Sequence, residues 1–252
     1  MRLTVVGCSG SYPGPDSAAS CYLVEAGDTR IVLDLGNGAL GSLQRHTNLD
    51  DIDAVLLSHL HPDHCLDLCS YYIYRRYRPE GPLPPIPVYG STGVAERIAA
   101  AYGQPPERGM HEAFEFVEWS EDTRYKIGSV EVTVARVAHP VPAYGLRVRH
   151  AGTGRVLAFS GDTGPCAALD RVAQDADLFL CEAAFQVGQD STPNLHLNGR
   201  EAAEAATRAG ARSLLLTHIP PWNDPSRTLA EATPAFGGPI QLARTGLVLE
   251  IG

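Results

Sequence analysis

Residues 58–64 read Ser-His-Leu-His-Pro-Asp-His, and four of the seven can bind a transition metal: His59, His61, Asp63 and His64. Imidazole nitrogens hold a divalent ion at about 2.0–2.1 Å and carboxylate oxygens at about 2.0–2.2 Å, so such side chains must converge. In extended chain His59 and His61 project to one side, because side chains repeat every second residue. Pro62 then turns the chain into a helix, whose first residues, Asp63 and His64, can face a second point nearby. Four ligand types at positions 59–64 are too many for one tetrahedral ion with an open position; they point to two ions. Two divalent ions about 3.5–4 Å apart can share a hydroxide and stabilise both attacking and leaving oxygens of an in-line displacement.

This chemistry requires elements that deliver the ligands to one place. The cluster follows Ala54–Leu57, an apolar run that reads as a buried strand. Four more ligand-type residues stand just past apolar runs: His139 after Val130–Ala138, Asp162 after Val156–Phe159, Glu182 after Leu178–Cys181, and His218 after Leu214–Thr217. Catalytic groups at carboxyl ends of strands are typical of open sheets with helices on their faces. Strands are predicted at Leu3–Val6, in a hairpin Cys21–Glu25/Arg30–Asp34, and in a second hairpin Tyr144–Arg149/Val156–Phe159. Helices are predicted at Ala39–His46, Cys65–Tyr77, Gly93–Tyr102, Cys166–Ala173, Gly199–Ala209 and Thr228–Ala232. Strands dominate early and centrally, and helices alternate with strands late. That pattern gives an α/β (α+β) chain, an αββα sandwich of two sheets with helices outside.

Size and charge narrow the partners. The 252 residues fit one large domain or two small ones, without a visible internal repeat or linker that would divide them, so residues 1–252 are expected to form a single domain. Twenty Lys and Arg stand against 29 Asp and Glu, a formal charge of −9, which lacks the positive field of a general nucleic-acid binder. No apolar run is long enough for a membrane span. Six scattered cysteines without a CxxC pair, and no signal-like start, lead to the expectation of a cytoplasmic protein with buried thiols. Cys65 and Cys69 read as small hydrophobes on the inner face of one helix.

The order SHLHPDH, His139, Ser160–Thr163 (SGDT) and Thr217-His218 resembles the metallo-β-lactamase fold superfamily over essentially the whole chain. Within it, the chain is most similar to the ribonuclease Z-like phosphodiesterase branch. Asp162 stands where hydrolytic β-lactamases carry cysteine, and Glu182 and His196 look like that branch's proton-handling pair. The resemblance implies that His59, His61 and His139 bind one ion, that Asp63, His64 and His218 bind the other, and that Asp162 bridges them. It implies His196 as general acid and Glu182 as its orienting partner; Asp63 joins them in the catalytic set. Zinc is the implied metal, although manganese or iron also suits nitrogen and oxygen ligands. Family habit suggests a homodimer.

Two departures matter. Asp67 stands where the family has glycine, and it reads either as a partner of a ligand histidine or as a solvated helix residue. The long arm with which tRNA-processing relatives grip tRNA has no counterpart, which together with the −9 charge argues against whole tRNA. The runs HLHPDHCLDL and LLLTHIPPW look most like a small bacterial group linked to cyclic-nucleotide hydrolysis. The leading expectation is therefore a 3′,5′-cyclic nucleotide phosphodiesterase acting through a metal-bridging hydroxide. Alternatives are tRNA 3′-end processing, thioester or lactone hydrolysis on the same fold, or a silent scaffold. Tyr71–Arg78 reads as a helix with tyrosines on the core and arginines in water, rather than a base-stacking wall. Pro220-Pro221-Trp222 reads as part of the site rim, and His46, His111 and His150 as surface residues.

Overall fold

The computed structural model describes residues 1–189 and 192–252. Strands β1 (Arg2–Ser9), β2 (Ala18–Ala19), β3 (Cys21–Ala26), β4 (Thr29–Leu33), β5 (Ala54–Leu56), β6 (Ile86–Gly90) and β7 (Phe114–Glu118) form the first sheet, together with β15 (Val248–Glu250). The second sheet contains β8 (Tyr125–Ile127), β9 (Val130–Arg136), β10 (Tyr144–His150), β11 (Val156–Phe159), β12 (Leu178–Glu182), β13 (Leu214–Thr217) and β14 (Ile240–Leu242). The main paths are β15-β1-β3-β4-β5-β6-β7 and β8-β9-β10-β11-β12-β13-β14, while β2 pairs with β1. Each path begins with three antiparallel pairings and ends with three parallel ones. The two sheets thus repeat one pairing plan although the sequence shows no repeat.

The period-two pattern explains the layers. Leu3, Val5, Tyr22, Val24, Ile31 and Leu33 turn inward to meet Leu146, Leu157, Phe159, Leu180 and Leu215 in the core between the sheets. Alternate residues Cys21, Leu23, Val32 and Val55 face outward, under α1 (Ala39–Leu43), α2 (Pro62–Cys65), α3 (Leu68–Arg76) and α4 (Val94–Tyr102). Phe179, Cys181, Leu214 and Leu216 face the other way, under α5 (Ala167–Ala173), α6 (Gly199–Arg208) and α7 (Pro225–Ala232). The result is the expected αββα sandwich of two mixed sheets. No helix among the described residues is long and apolar enough to cross a membrane.

Most predicted elements lie within a residue or two of their observed bounds, but some expectations need correction. The helix expected over Cys65–Tyr77 is two helices, broken at Leu66-Asp67, so Cys65 and Cys69 sit on different ones. Both thiols still pack on the outer core, as expected of small hydrophobes. Arg75 does not point into water. Its guanidinium is buried and donates to the carbonyls of Ala113 and Pro84 and to the Tyr71 hydroxyl, pinning Pro79–Pro87, a proline-rich connector, to α3. Tyr71 and Tyr72 are in the core, as read. Strands β2 and β14 carried no clear sequence signal; both are short, and β14 alternates only partly buried residues.

Candidate metal centre

All candidate residues but His196 stand at or just past carboxyl ends of strands, at one end of the sandwich. His59 and His61 lie in the loop after β5, and Asp63 and His64 in α2, which Pro62 opens at its first position. His139, Asp162 and His218 follow β9, β11 and β13, while Glu182 ends β12. These four strands run in the same direction, so their ends share one edge. His196 arrives differently. The loop after β12 folds back, Phe185 N–H donates to the Leu197 carbonyl at 2.9 Å, and Asn198 starts α6 through a capping box with Glu201.

The side chains form two groups that share Asp162. One comprises His59, His61, His139 and Asp162; the other comprises Asp63, His64, Asp162 and His218. His61 Nδ1 is 3.0 Å from His59 Nε2 and 3.2 Å from His139 Nε2. Asp162 Oδ2 lies 3.2 Å from His64 Nε2, 3.3 Å from His218 Nε2 and 3.7 Å from His59 Nε2. Asp63 Oδ2 is 3.5 Å from His64 Nε2 and 3.7 Å from His218 Nε2. Ligand atoms around a tetrahedral ion at about 2.05 Å sit about 3.3 Å apart. The measured edges match that spacing, and the residues fit two metal positions.

The far nitrogens are fixed so that the near ones face inward. His64 Nδ1 lies 2.7 Å from Asp34 Oδ2, His218 Nδ1 2.9 Å from Ser20 Oγ, and His139 Nδ1 3.0 Å from the Leu195 carbonyl. A proton on Nδ1 leaves a lone pair on Nε2. Nε2 of His64 and Nε2 of His218 are buried with no hydrogen-bond partner, a costly state that a metal ion would relieve. Burial pushes His59, His61 and His139 below the usual histidine range, favouring neutral ligands. At His64 burial also opposes the charge, but Asp162 and Asp34 outweigh it and raise the value well above normal. Burial likewise works against ionised Asp162, yet His218 and His64 hold it well below the carboxylate range.

Backbone geometry tightens this arrangement. His218 and Asp34 have φ of 56° and 55°, in the left-handed region that ordinary residues avoid. A side chain at Gly36 would strike the Asp63 carbonyl, and one at Gly10 would strike the His218 carbonyl, so both chains approach as only glycine permits.

Beside the two groups, His196 Nδ1 is 2.9 Å from Glu182 Oε1 and 4.0 Å from Asp162 Oδ2. The other Glu182 contacts are backbone N–H groups of Thr163 at 2.9 Å and Ala184 at 3.0 Å. Burial lowers the His196 pKa, but Glu182 more than compensates, and the value rises to about 9. Phe185 packs edge-on against the His196 ring, with centroids 5.2 Å apart.

Every candidate ligand, with Glu182 and His196, is therefore brought together. Asp67 is not part of this site and is not solvated either: its carboxylate accepts the Leu40 N–H at 2.8 Å and caps α1. The partner of a ligand histidine is Asp34, which the sequence reading left as a strand end. Its signal was an acid inside the otherwise apolar run Ile31–Leu35, where every residue is buried. Trp119 was also missed; its indole N–H donates to the Leu57 carbonyl at 2.8 Å, at the root of the His59 loop. His46, His111 and His150 lie outside the cluster.

Residues 29–219 match the family described as beta-lactamase superfamily domain. The chain is 44% identical over its full length to uncharacterized protein ML1173 of Mycobacterium leprae, covering 89% of that protein. It is 33% identical to a ribonuclease Z of Mycobacterium sp. (strain KMS), with 96% of this chain and 93% of that protein aligned. The crystal structure of the metallo-beta-lactamase fold protein YhfI from Bacillus subtilis superposes with a TM-score of 0.86 at 29% identity, covering 99% of both chains.

Proposed function

This chain belongs to the beta-lactamase superfamily, and within it we propose a metal-dependent phosphodiester hydrolase with 3′,5′-cyclic nucleotides as its leading substrate. The Glu182–His196 pair beside Asp162 carries this reading. Hydrolysis of a cyclic phosphodiester expels an alkoxide, which needs a proton, whereas thioester hydrolysis expels a thiolate, which leaves without one. Positive charge at the adjacent centre would draw the raised His196 pKa back toward neutrality, where a proton donor works best.

His59, His61 and His139 would hold one divalent ion, Asp63, His64 and His218 the other, and Asp162 both. Such ions, zinc first and manganese or iron next, supply Lewis acidity and activate water. Asp34, Ser20 and the Leu195 carbonyl aim the ligand nitrogens. Glu182 fixes the His196 ring through Nδ1, so Nε2 is left to deliver the proton to the leaving oxygen. We take residues 1–252 as a single catalytic domain working in the cytoplasm as a homodimer; the described cysteines are all unpaired, which suits a reducing compartment.

A second reading, RNA 3′-end cleavage, is supported by the identity to mycobacterial ribonuclease Z. The net charge of −9 weighs against it, because RNA affinity draws on phosphate neutralisation. Rates on cyclic AMP, cyclic GMP, a precursor tRNA and bis-nitrophenyl phosphate separate the two. Faster turnover of the cyclic nucleotides is expected; precursor tRNA as the only natural substrate would overturn the leading reading.

A further inference from the structure

Two of the largest exposed apolar side chains, Tyr12 and Trp222, meet each other, with ring centroids 5.3 Å apart and planes tilted by 34°. Trp222 is 63% exposed and Tyr12 43%, a costly way to leave two aromatic rings unless something covers them. Their loops are tied to the metal centre on three sides. Trp222 is four residues beyond His218, within about 14 Å of chain reach. The Tyr12 loop is pressed onto that ligand, since Ser9 bridges Ile219 and Gly10 lies against the His218 carbonyl. The third tie is buried Asn223, whose side chain donates to the Ala184 carbonyl at 2.7 Å, next to the Phe185 ring that packs on His196. The loops that carry the aromatic pair are therefore anchored both to His218 and to the segment that packs on His196.

Resting on the phosphodiesterase reading above, we propose that Tyr12 and Trp222 form the platform on which the substrate's nucleobase stacks. A flat π face suits any base, and Trp222 stands only four residues of chain from His218. The surrounding anchors hold the platform in place before substrate arrives: Gln186 donates to the Asp224 carbonyl at 2.8 Å and Gln189 to Asn223 Oδ1 at 3.0 Å. A preorganised platform costs less ordering entropy on binding. A compact cyclic nucleotide does not need the extended basic surface that tRNA would require.

The protein has two tryptophans, and the other, Trp119, is buried at 5% exposure, so fluorescence reads the platform directly. Adenosine 5′-monophosphate titrated into the whole metal-free protein should quench emission in the wild type and in Trp119→Phe, but not in Trp222→Phe. In steady-state kinetics, Trp222→Ala should raise KM for cyclic AMP about five- to tenfold more than KM for the base-free ribose 3′,5′-cyclic phosphate. Equal KM changes on both substrates, or quenching that persists in Trp222→Phe, would overturn the platform. So would conversion of a dimer into a monomer by Trp222→Ala with KM for cyclic AMP unchanged, since the face would then belong to a second copy. If the wild type cleaves no phosphodiester, the catalytic reading fails while the quenching still decides the platform.

Discussion

The two sheets follow the same pairing plan, and the aspartates after their matching strands have opposite duties. Asp34 follows β4 and Asp162 follows β11, each at the junction between antiparallel and parallel halves. Both face the same imidazole: Asp34 lies at His64 Nδ1 and Asp162 at His64 Nε2. Asp34 is occupied by the protein itself, receiving the Ser58 N–H at 2.7 Å and the Ser58 hydroxyl at 2.8 Å as well. Asp162 instead presents Oδ2 to His59, His64 and His218. Position in the fold brings a carboxylate to the site; the donors already attached to it decide whether it can take a metal.

The comparison is tested most severely at Asp162. Asp162→Ala should lose metal and lower activity about a thousandfold or more, read by metal analysis and turnover; full metal content and activity would end the bridging assignment. His196→Ala, on the same sheet, should slow an alkoxide-leaving cyclic nucleotide about a hundredfold and a nitrophenyl ester far less. Equal losses on both would remove the proton-donor role. Asp34→Asn should keep the fold but weaken metal affinity about 10- to 100-fold in a competition titration, the usual scale for a partner of a ligand histidine. Asp67→Ala should be the mildest: about 1–2 kcal/mol of stability lost by denaturant titration as the α1 amides lose their cap, with metal content unchanged. A metal defect in Asp67→Ala would mean that the two first-sheet aspartates are not as separate as their contacts indicate.

The sheets also differ in how much of the site can be read from sequence. The first sheet delivers His59, His61, Asp63 and His64 from the single connection after β5, and their density alone points to metal chemistry. The second spreads His139, Asp162, Glu182 and His218 over four strand ends, legible only because each follows an apolar run. The supporting residues were harder. Asp34 forms no local pattern with His64, thirty residues away, and Ser20 meets His218 across 198 residues. Arg75 reads as surface on its own helix, since the carbonyls that enclose it come from positions 84 and 113. Asp67 misled because helical periodicity runs on through a break at Leu66-Asp67, where the Asp67 N–H donates to the Leu35 carbonyl at 3.1 Å and the Leu35 N–H to the His64 carbonyl at 2.8 Å.

The long-range contacts around His218 have a consequence for biosynthesis. Ser20 Oγ holds the His218 ring and the Tyr22 hydroxyl meets Thr217 Oγ1 at 2.6 Å, so residues from the first tenth of the chain secure a ligand from its last fifth. During translation the His59 loop emerges early, with several metal-binding groups but without the strands that aim them. The position defined by Asp63, His64 and His218 closes only after β13 has been made and docked. A metal held at that position would therefore be bound late, after assembly of both sheets.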